Sequence, residues 1–511
     1  MTSNPETFGM EALTLVTTSL RDSPPESTEN QSVTTLTAAD EASLELILKI
    51  CTYVYQDAPG SFPSDLRLVS RKWNHAALGF SFQQVKMNWN VTNTKNYNTD
   101  QDQIHQNVWM YIREYTKVVC ITSTIHLHWN GLVKLLSRCK VLETVRFRFD
   151  EPQVFKSSRA QPLWTPRKFP RHLLNAFESR LGSKMKVKLD TGIEEAAHTW
   201  IRDNGILRLA PYLSYSKLFL DRSGPYKLKP TIIRDFLLKA TQLEVLSLRW
   251  EGWFSWGSFP SGDKFRAPKH LHIPDMFAWG ALRMDDRELW DYSGLRVLDM
   301  EQFPSNFDRT VEELSPQDFP RLESLRVVLH TCVPRKSEVP QLQLESRYRE
   351  AYSTFVAGLP SLEKLHIDEY APSMISVVEK IGARLVLLNL GTLLGCLVSP
   401  EELDRIREAC TNIKNIGISI PYNKANQLLQ GLAKFPKVTI VIVTVIYYNF
   451  DEPCDPKAFE SWETALRNLR TVANYLASHK TDRKLAAVYG YQMVKRKVWP
   501  NPKRIYLSHY F

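Results

Sequence analysis

Two His-x-His pairs, His126/His128 and His270/His272, stand at a spacing suited to chemistry in this 511-residue chain. Alternate strand positions would put both imidazoles of a pair on one face, where a metal could take them. No Asp, Glu or Cys accompanies either pair at ligand spacing, so no metal site is expected. Gly257-Ser-Phe-Pro-Ser-Gly262-Asp-Lys264 approaches a phosphate loop but carries Asp where the phosphate-binding Lys must stand. Gly-x-Ser-x-Gly and His-Glu-x-x-His are absent, and no Gly-rich turn follows a strand pattern. The seven cysteines form no Cys-x-x-Cys and read as buried thiols of a reducing compartment. The expectation is a protein that is not an enzyme and needs no cofactor.

Binding chemistry is better represented. Lys and Arg exceed Asp and Glu by 65 to 55, a net charge of +10. Basic residues recur at alternate strand positions: Arg146 and Arg148, then Lys184, Lys186 and Lys188, then Arg249 beside Ser247. Asp299 and Glu301, Arg326, and His366 and Asp368 continue the series. Cations on neighbouring strands would attract carboxylates or phosphates, so Arg146, Arg148, Lys186, Lys188 and Arg249 are candidates for holding an acidic or phosphorylated segment. The alternative is a solvated charged face. The loop Trp250–Phe259, with Trp253 and Trp256, has the aromatic content of a protein hot spot, although such rings also pack beneath their own loop. The basic, aromatic stretch from Lys484 to Arg504 reads as the solvated end of a capping helix rather than a nucleic-acid contact.

Stepping strands must position these groups. Apolar alternations centre near residues 119, 146, 187, 219, 246, 271, 297, 325, 365, 388, 416 and 440. One frame recurs through them: Leu142-Glu-Thr-Val-Arg-Phe147, Leu243-Glu-Val-Leu-Ser-Leu248, Leu295-Arg-Val-Leu-Asp-Met300, Leu322-Glu-Ser-Leu-Arg-Val327, Leu362-Glu-Lys-Leu-His-Ile367 and Ile413-Lys-Asn-Ile-Gly-Ile418, and Leu385-Val-Leu-Leu-Asn-Leu390 fits it too. Helical patterns precede several strands, at Ile232–Ala240, Tyr352–Gly358, Ile375–Ile381, Leu403–Cys410 and Leu428–Ala433. Units of mostly 20–30 residues, each ending in a strand, predict an α/β horseshoe solenoid of the leucine-rich-repeat kind. A doubly wound α/β sheet is the competing architecture.

Ahead of these repeats, Glu41–Tyr55 is apolar around nearly its whole circumference, so it must be covered on more than one side. After Pro59, Gly60 and Pro63, Ser64 begins a second helical pattern with Leu66, Val69 and Trp73 on one stripe. Leu44-Glu-Leu-Ile-Leu-Lys-Ile50 and the later Asp65-Leu-Arg-Leu-Val-Ser-Arg-Lys-Trp73 resemble an F-box. The second segment matches that family's Leu-x-x-Val-Cys/Ser-Lys/Arg-x-Trp. In the first, Ala42-Ser43 stand where the family has Leu-Pro. The resemblance implies binding to a Skp-type adaptor, and through it a cullin scaffold, by Leu46, Ile47, Ile50, Leu66, Val69 and Trp73. Some of these residues are expected to build the module's own core. An F-box followed by irregular leucine-rich repeats resembles many fungal F-box proteins, although no Asn follows each frame at the repeat family's usual place. The resemblance implies the substrate receptor of an SCF ubiquitin ligase; a repeat scaffold outside any ligase is the alternative.

The expected division is a flexible acidic arm over 1–40, an F-box-like module over 41–90, a leucine-rich-repeat-like solenoid over 91–450, and a helical cap with basic tail over 451–511. No apolar run is long enough to span a bilayer, and no signal peptide is evident. A cytoplasmic or nuclear location without membrane association is expected.

Overall fold

The computed structural model describes residues 42–57, 64–87, 103–121, 129–149, 186–191, 205–220, 230–250, 264–273, 290–302, 314–329, 352–367, 372–391, 397–421, 425–446, 487–494 and 503–510, with a few isolated positions besides. The chain divides into two compact units. One comprises residues 1–149 with 160–164 and 170–186; the other holds 187–511 with 150–159 and 165–169.

In the first unit, α1 (Leu44–Asp57), a 3-10 turn (Ser64–Leu68) and α2 (Arg71–Ser81) form the helical module. Its helix starts are set by serines: the Ser43 hydroxyl accepts from the Leu46 N–H at 3.2 Å, and Ser70 caps α2 through the Trp73 N–H. Two residues after α2 the chain enters β1 (Gln84–Met87), and α3 (Gln103–Tyr115) leads similarly into β2 (Val118–Ile121). α4 (Trp129–Arg138) precedes β3 (Thr144–Phe149). β1, β2 and β3 are parallel and pair in sequence order. The Gln83 carbonyl accepts from both the Lys117 and Val118 N–H groups at 2.9 Å, joining the exit of α2 to β2. Parallel pairing thus begins before residue 90, inside the segment expected to hold only helices.

The second unit carries β4 (Lys186–Thr191), β5 (Leu213–Leu220), α5 (Pro230–Lys239), β6 (Val245–Trp250), β7 (Phe265–Arg266), β8 (His270–Ile273), β9 (Trp290–Asp291), β10 (Val297–Gln302) and β11 (Ser324–Leu329). There follow a helix over 352–358, β12 (Lys364–Ile367), α6 (Met374–Ile381), β13 (Leu387–Leu390), α7 (Pro400–Ala409), β14 (Asn415–Pro421), α8 (Ala425–Ala433), β15 (Ile440–Ile446), β16 (Ala487–Val494) and β17 (Lys503–Tyr510). β7 pairs with β9 apart; the other strands run parallel in sequence order through β16, and β17 closes antiparallel. The architecture is mixed α/β around a parallel sheet, and every strand centre expected from the sequence falls inside a strand.

The recurrent frame explains the register. Leu246, Leu271, Leu298, Leu325, Leu365, Leu388, Ile416 and Val441 are successive partners along one ladder. Ile273, Met300, Val327, Ile367, Leu390, Ile418 and Val443 form a second, two positions on. All are buried, and each such side chain contributes roughly 1.5–3 kcal/mol against exposure. The first residue of each frame turns the chain into its strand: Leu295, Leu322, Leu385 and Ile413 are buried, and each N–H bonds the carbonyl three residues back.

Among the described residues, the segments before β8, β10 and β11 hold β7 and two 3-10 turns, Tyr292–Gly294 and Pro316–Asp318. Aromatic rings pack at these turns: Phe265 and Trp290 lie 4.9 Å apart, Tyr292 and Phe319 4.8 Å, and Phe319 meets Phe355 edge-on at 5.7 Å. In place of an Asn at the usual repeat position, turn residues tie consecutive units together. Ser361 Oγ donates to the Pro320 carbonyl at 2.7 Å, Arg384 to Pro360 at 2.6 Å and Asn412 to Ala383 at 2.7 Å.

Within the segment expected as a helical cap with basic tail over 451–511, the described positions 471, 474–476 and 478–479 are helical, but the basic stretch read as the end of a capping helix holds β16 and β17, which extend the sheet. Ala487-Val-Tyr-Gly-Tyr-Gln-Met-Val494 is rich in aromatic and β-branched residues that suit a pleated strand. The surrounding basic residues obscured that pattern.

Candidate binding surfaces

On the helical module, α1 has more apolar side chains than one neighbour can cover. Ile47 and Cys51, one turn apart, are fully buried against Trp73, Ala76 and Ala77 of α2, with Ile50, Leu66 and Phe80 packed around them. The remaining apolar positions point away. Leu46 is 50% exposed, Tyr53 68% and Leu68 84%; Leu44, Leu48 and Val69 are exposed as well. Of the six adaptor-contact candidates, the structure therefore places Ile47 and Trp73 in the module's core, Ile50 and Leu66 at its margin, and Leu46 and Val69 on the surface. Among the described residues, the other exposed large hydrophobics are Met110, Tyr115 and Val141, also in the first unit; the second unit contributes none.

On the second unit, the sheet face opposite the apolar ladders is a polar row. Lys217, Ser247, His272, Asp299, Arg326, His366, Asn389 and Gly417 are consecutive register partners. Neighbours in a parallel ladder lie about 4.8 Å apart, close enough for side chains to pair. Ser247 Oγ and His272 Nδ1 are 3.1 Å apart, and Asn389 Nδ2 is 2.8 Å from His366 Nδ1. His270, two positions before His272, places Nε2 2.8 Å from Asp299 Oδ2. The serine and the carboxylate thus engage different imidazoles, which leaves no Ser–His–Asp relay of the kind nucleophilic catalysis uses. The two imidazoles of the His270/His272 pair are likewise committed to separate partners, and among the described residues no group of three His, Cys, Asp or Glu could hold a metal.

Lys217, Asn389 and Gly417 of this surface escaped sequence reasoning. Asn389 belongs to the frame Leu385–Leu390, whose alternation should have flagged it. Gly417 matters by having no side chain: a Cβ there would collide with the Asn389 carboxamide, so the glycine makes room for the Asn389–His366 bond.

Of the basic candidates, Arg146 is half-buried on β3, in register with Cys120 and thus on the face opposite Val145 and Phe147. Lys186 and Lys188 lie on β4 and Arg249 on β6, but their side chains, with that of Arg148, fall outside the described residues, as do Lys184, Trp253, Trp256, His126 and His128. The described part of the row is mixed in charge rather than basic. At the turns beside it, Lys269 pairs with Glu244 at 3.3 Å and Arg296 with Glu323 at 3.1 Å. These exposed pairs are worth at most about 1 kcal/mol each.

A shallow cavity of about 800 Å³ lies among the turns of the middle units, lined by Lys264, Arg266, Trp290, Asp291, Tyr292 and Gln317. Its charges are internally balanced. Asp291 accepts from the Ser293 N–H at 3.0 Å, and bonds from Ser293, with Lys264 and Arg266 nearby, hold its carboxyl below the usual range. Cys51, Cys120, Cys139 and Cys410 are buried. No helix among the described residues is long and apolar enough to cross a membrane.

No protein-family model and no curated protein matches the sequence. Among solved structures, the chain is similar to the leucine-rich repeat-containing protein LegL7 from Legionella pneumophila. The two are 12% identical with a TM-score of 0.37, over 72% of this chain and all of that one. So distant a likeness carries no conclusion about what this chain binds.

Proposed function

We propose that the chain is a non-catalytic protein-binding receptor built on irregular leucine-rich repeats, in which the helical module docks a Skp-type adaptor and the polar sheet face of the second unit holds a protein substrate. The observation that carries this reading is the set Leu44, Leu46, Leu48, Tyr53, Leu68 and Val69, apolar and exposed on one small helical module. Large apolar side chains exposed in such number on one small module mark an interaction site, and helical partners bury such side chains well. The match of Val69-Ser-Arg-Lys-Trp73 to the F-box pattern favours an adaptor of a cullin-type ubiquitin ligase over an unrelated scaffold partner. Such a receptor raises the effective concentration of substrate near a ubiquitin carrier and performs no acyl chemistry itself.

Co-purification of the full chain with a Skp-type adaptor tests the reading. The native chain should retain the adaptor through gel filtration. Leu46→Asp with Leu68→Asp should release it while keeping the native circular dichroism. Ile47→Asp is not a useful probe, because Ile47 is core and its loss would unfold the module. A well-folded native chain that never binds the adaptor would leave a repeat scaffold outside any ligase.

A further inference from the structure

We infer that Arg326 is the anchor of an oxyanion seat on the polar row, taking a carboxylate or phosphate of an acidic segment of the bound protein. The inference rests on the receptor reading above and gives its substrate a chemical class. Along the row, side chains satisfy one another in pairs: Ser247 with His272, His270 with Asp299, and His366 with Asn389. Arg326 sits between Asp299 and His366 in register and joins none of them. Its Nε is enclosed and has no hydrogen-bond partner. Two other arginines of this unit also have an enclosed Nε, but Arg384 places Nη1 on the Pro360 carbonyl and Arg407 places Nη2 on Asp404. Asp299, the nearest carboxylate in the row, is held on its other side by His270 at 2.8 Å.

A half-buried guanidinium whose enclosed Nε has no partner costs stability that a stability-driven sequence would recover with an apolar residue. Its planar fork suits the two oxygens of a carboxylate or phosphate. The surroundings agree in size and sign. Ser324, two residues earlier on the same face, is small, and its register partner Lys364 is an exposed cation beside His366. No large hydrophobic residue is exposed among the described residues of this unit, so contact there is made through polar groups.

The thermal midpoint of the full chain, titrated with inorganic phosphate or with N-acetylglutamate against sodium chloride of equal ionic strength, tests this. Phosphate stabilises proteins generally by exclusion from their surface, so the informative quantity is the difference between native chain and Arg326→Met. The native chain should show an additional saturable rise that Arg326→Met lacks and Arg326→Lys keeps in part. Without ligand, the Met variant should melt at the native temperature or above. A larger response to phosphate would identify a phosphorylated segment, and a larger one to N-acetylglutamate an acidic one. Equal responses in native and Met chains, or a Met variant that melts several degrees lower without ligand, would overturn the seat. Because Arg326 lies on the second unit, the Met variant should still co-purify with a Skp-type adaptor. Loss of adaptor binding by the native chain with an intact Arg326-dependent response would instead sink the ligase reading alone.

Discussion

The helical module and the sheet of the second unit treat apolar residues in opposite ways. On α1, Ile47 and Cys51 face α2 while Leu44, Leu46, Leu48 and Tyr53 face water. On the sheet, strand alternation sends each frame's apolar residues to one side and its polar residues to the other. Every repeat finds its neighbour, so nothing apolar and large is left outside among the described residues. A small helical unit has too few neighbours to do the same. On the proposed reading, the difference teaches that the two surfaces would recognise by different means, the module by burying area and the sheet by matching charge and hydrogen bonds.

The largest test of this contrast is Trp73→Ala, which removes the ring from the module's core. It should cost about 3–5 kcal/mol, read by chemical denaturation, and should abolish adaptor binding by unfolding the module. Retained binding would mean that the exposed residues need no folded support.

A second test acts on the second unit, at the end of α7. Burial pushes the Cys410 thiol up to about 12. Between the ordinary thiol range and that value the native chain keeps a proton that the unfolded chain has lost. The unfolded state binds fewer protons there, so stability falls as pH rises, by about 1.4 kcal/mol per pH unit from this group. Cys410→Ala should show a correspondingly flatter stability profile between pH 9 and 12. An unchanged slope would mean that solvent reaches the thiol.

Gly417→Ala should cost about 1–3 kcal/mol through the collision with Asn389. Adding Asn389→Ala should recover part of that loss in a double-mutant cycle. Simple additivity would show that the carboxamide moves aside freely and that the polar row is adaptable. The smallest stability effect sharpens the contrast most: Leu46→Asp and Leu68→Asp should each change stability by no more than about 0.5 kcal/mol, although together they should weaken adaptor binding more than about tenfold. A large stability loss would place those side chains in a core.

Strand positions were legible because Leu322–Val327 and its relatives repeat one spacing, and period 2 assigns a face as soon as register is known. The middle turns were less so. Tyr292–Gly294 and Pro316–Asp318 are too short for any 3.6-residue period to register. Within the module, period alone could not tell Leu46 from Ile47, because α1 is apolar on nearly all sides; only the position of Trp73 decides which stripe is core. On the polar row, alternation brought out Asp299, Arg326 and His366, but their partners were hidden. Pairing across strands depends on rotamers, and His270 reaches Asp299 diagonally rather than its direct register partner Val297.

The join between α2 and β1 has a mechanical consequence. Only Phe82 and Gln83 separate helix from strand; the Phe82 N–H still bonds back to Leu78, and the Gln83 carbonyl is already held by the next strand. A protein seated on the module is therefore not on a swivel. Its bearing relative to the first three strands is fixed at the moment of docking, and no angular search is needed to align them. Lengthening that two-residue joint would leave every contact residue in place and still spoil the aim.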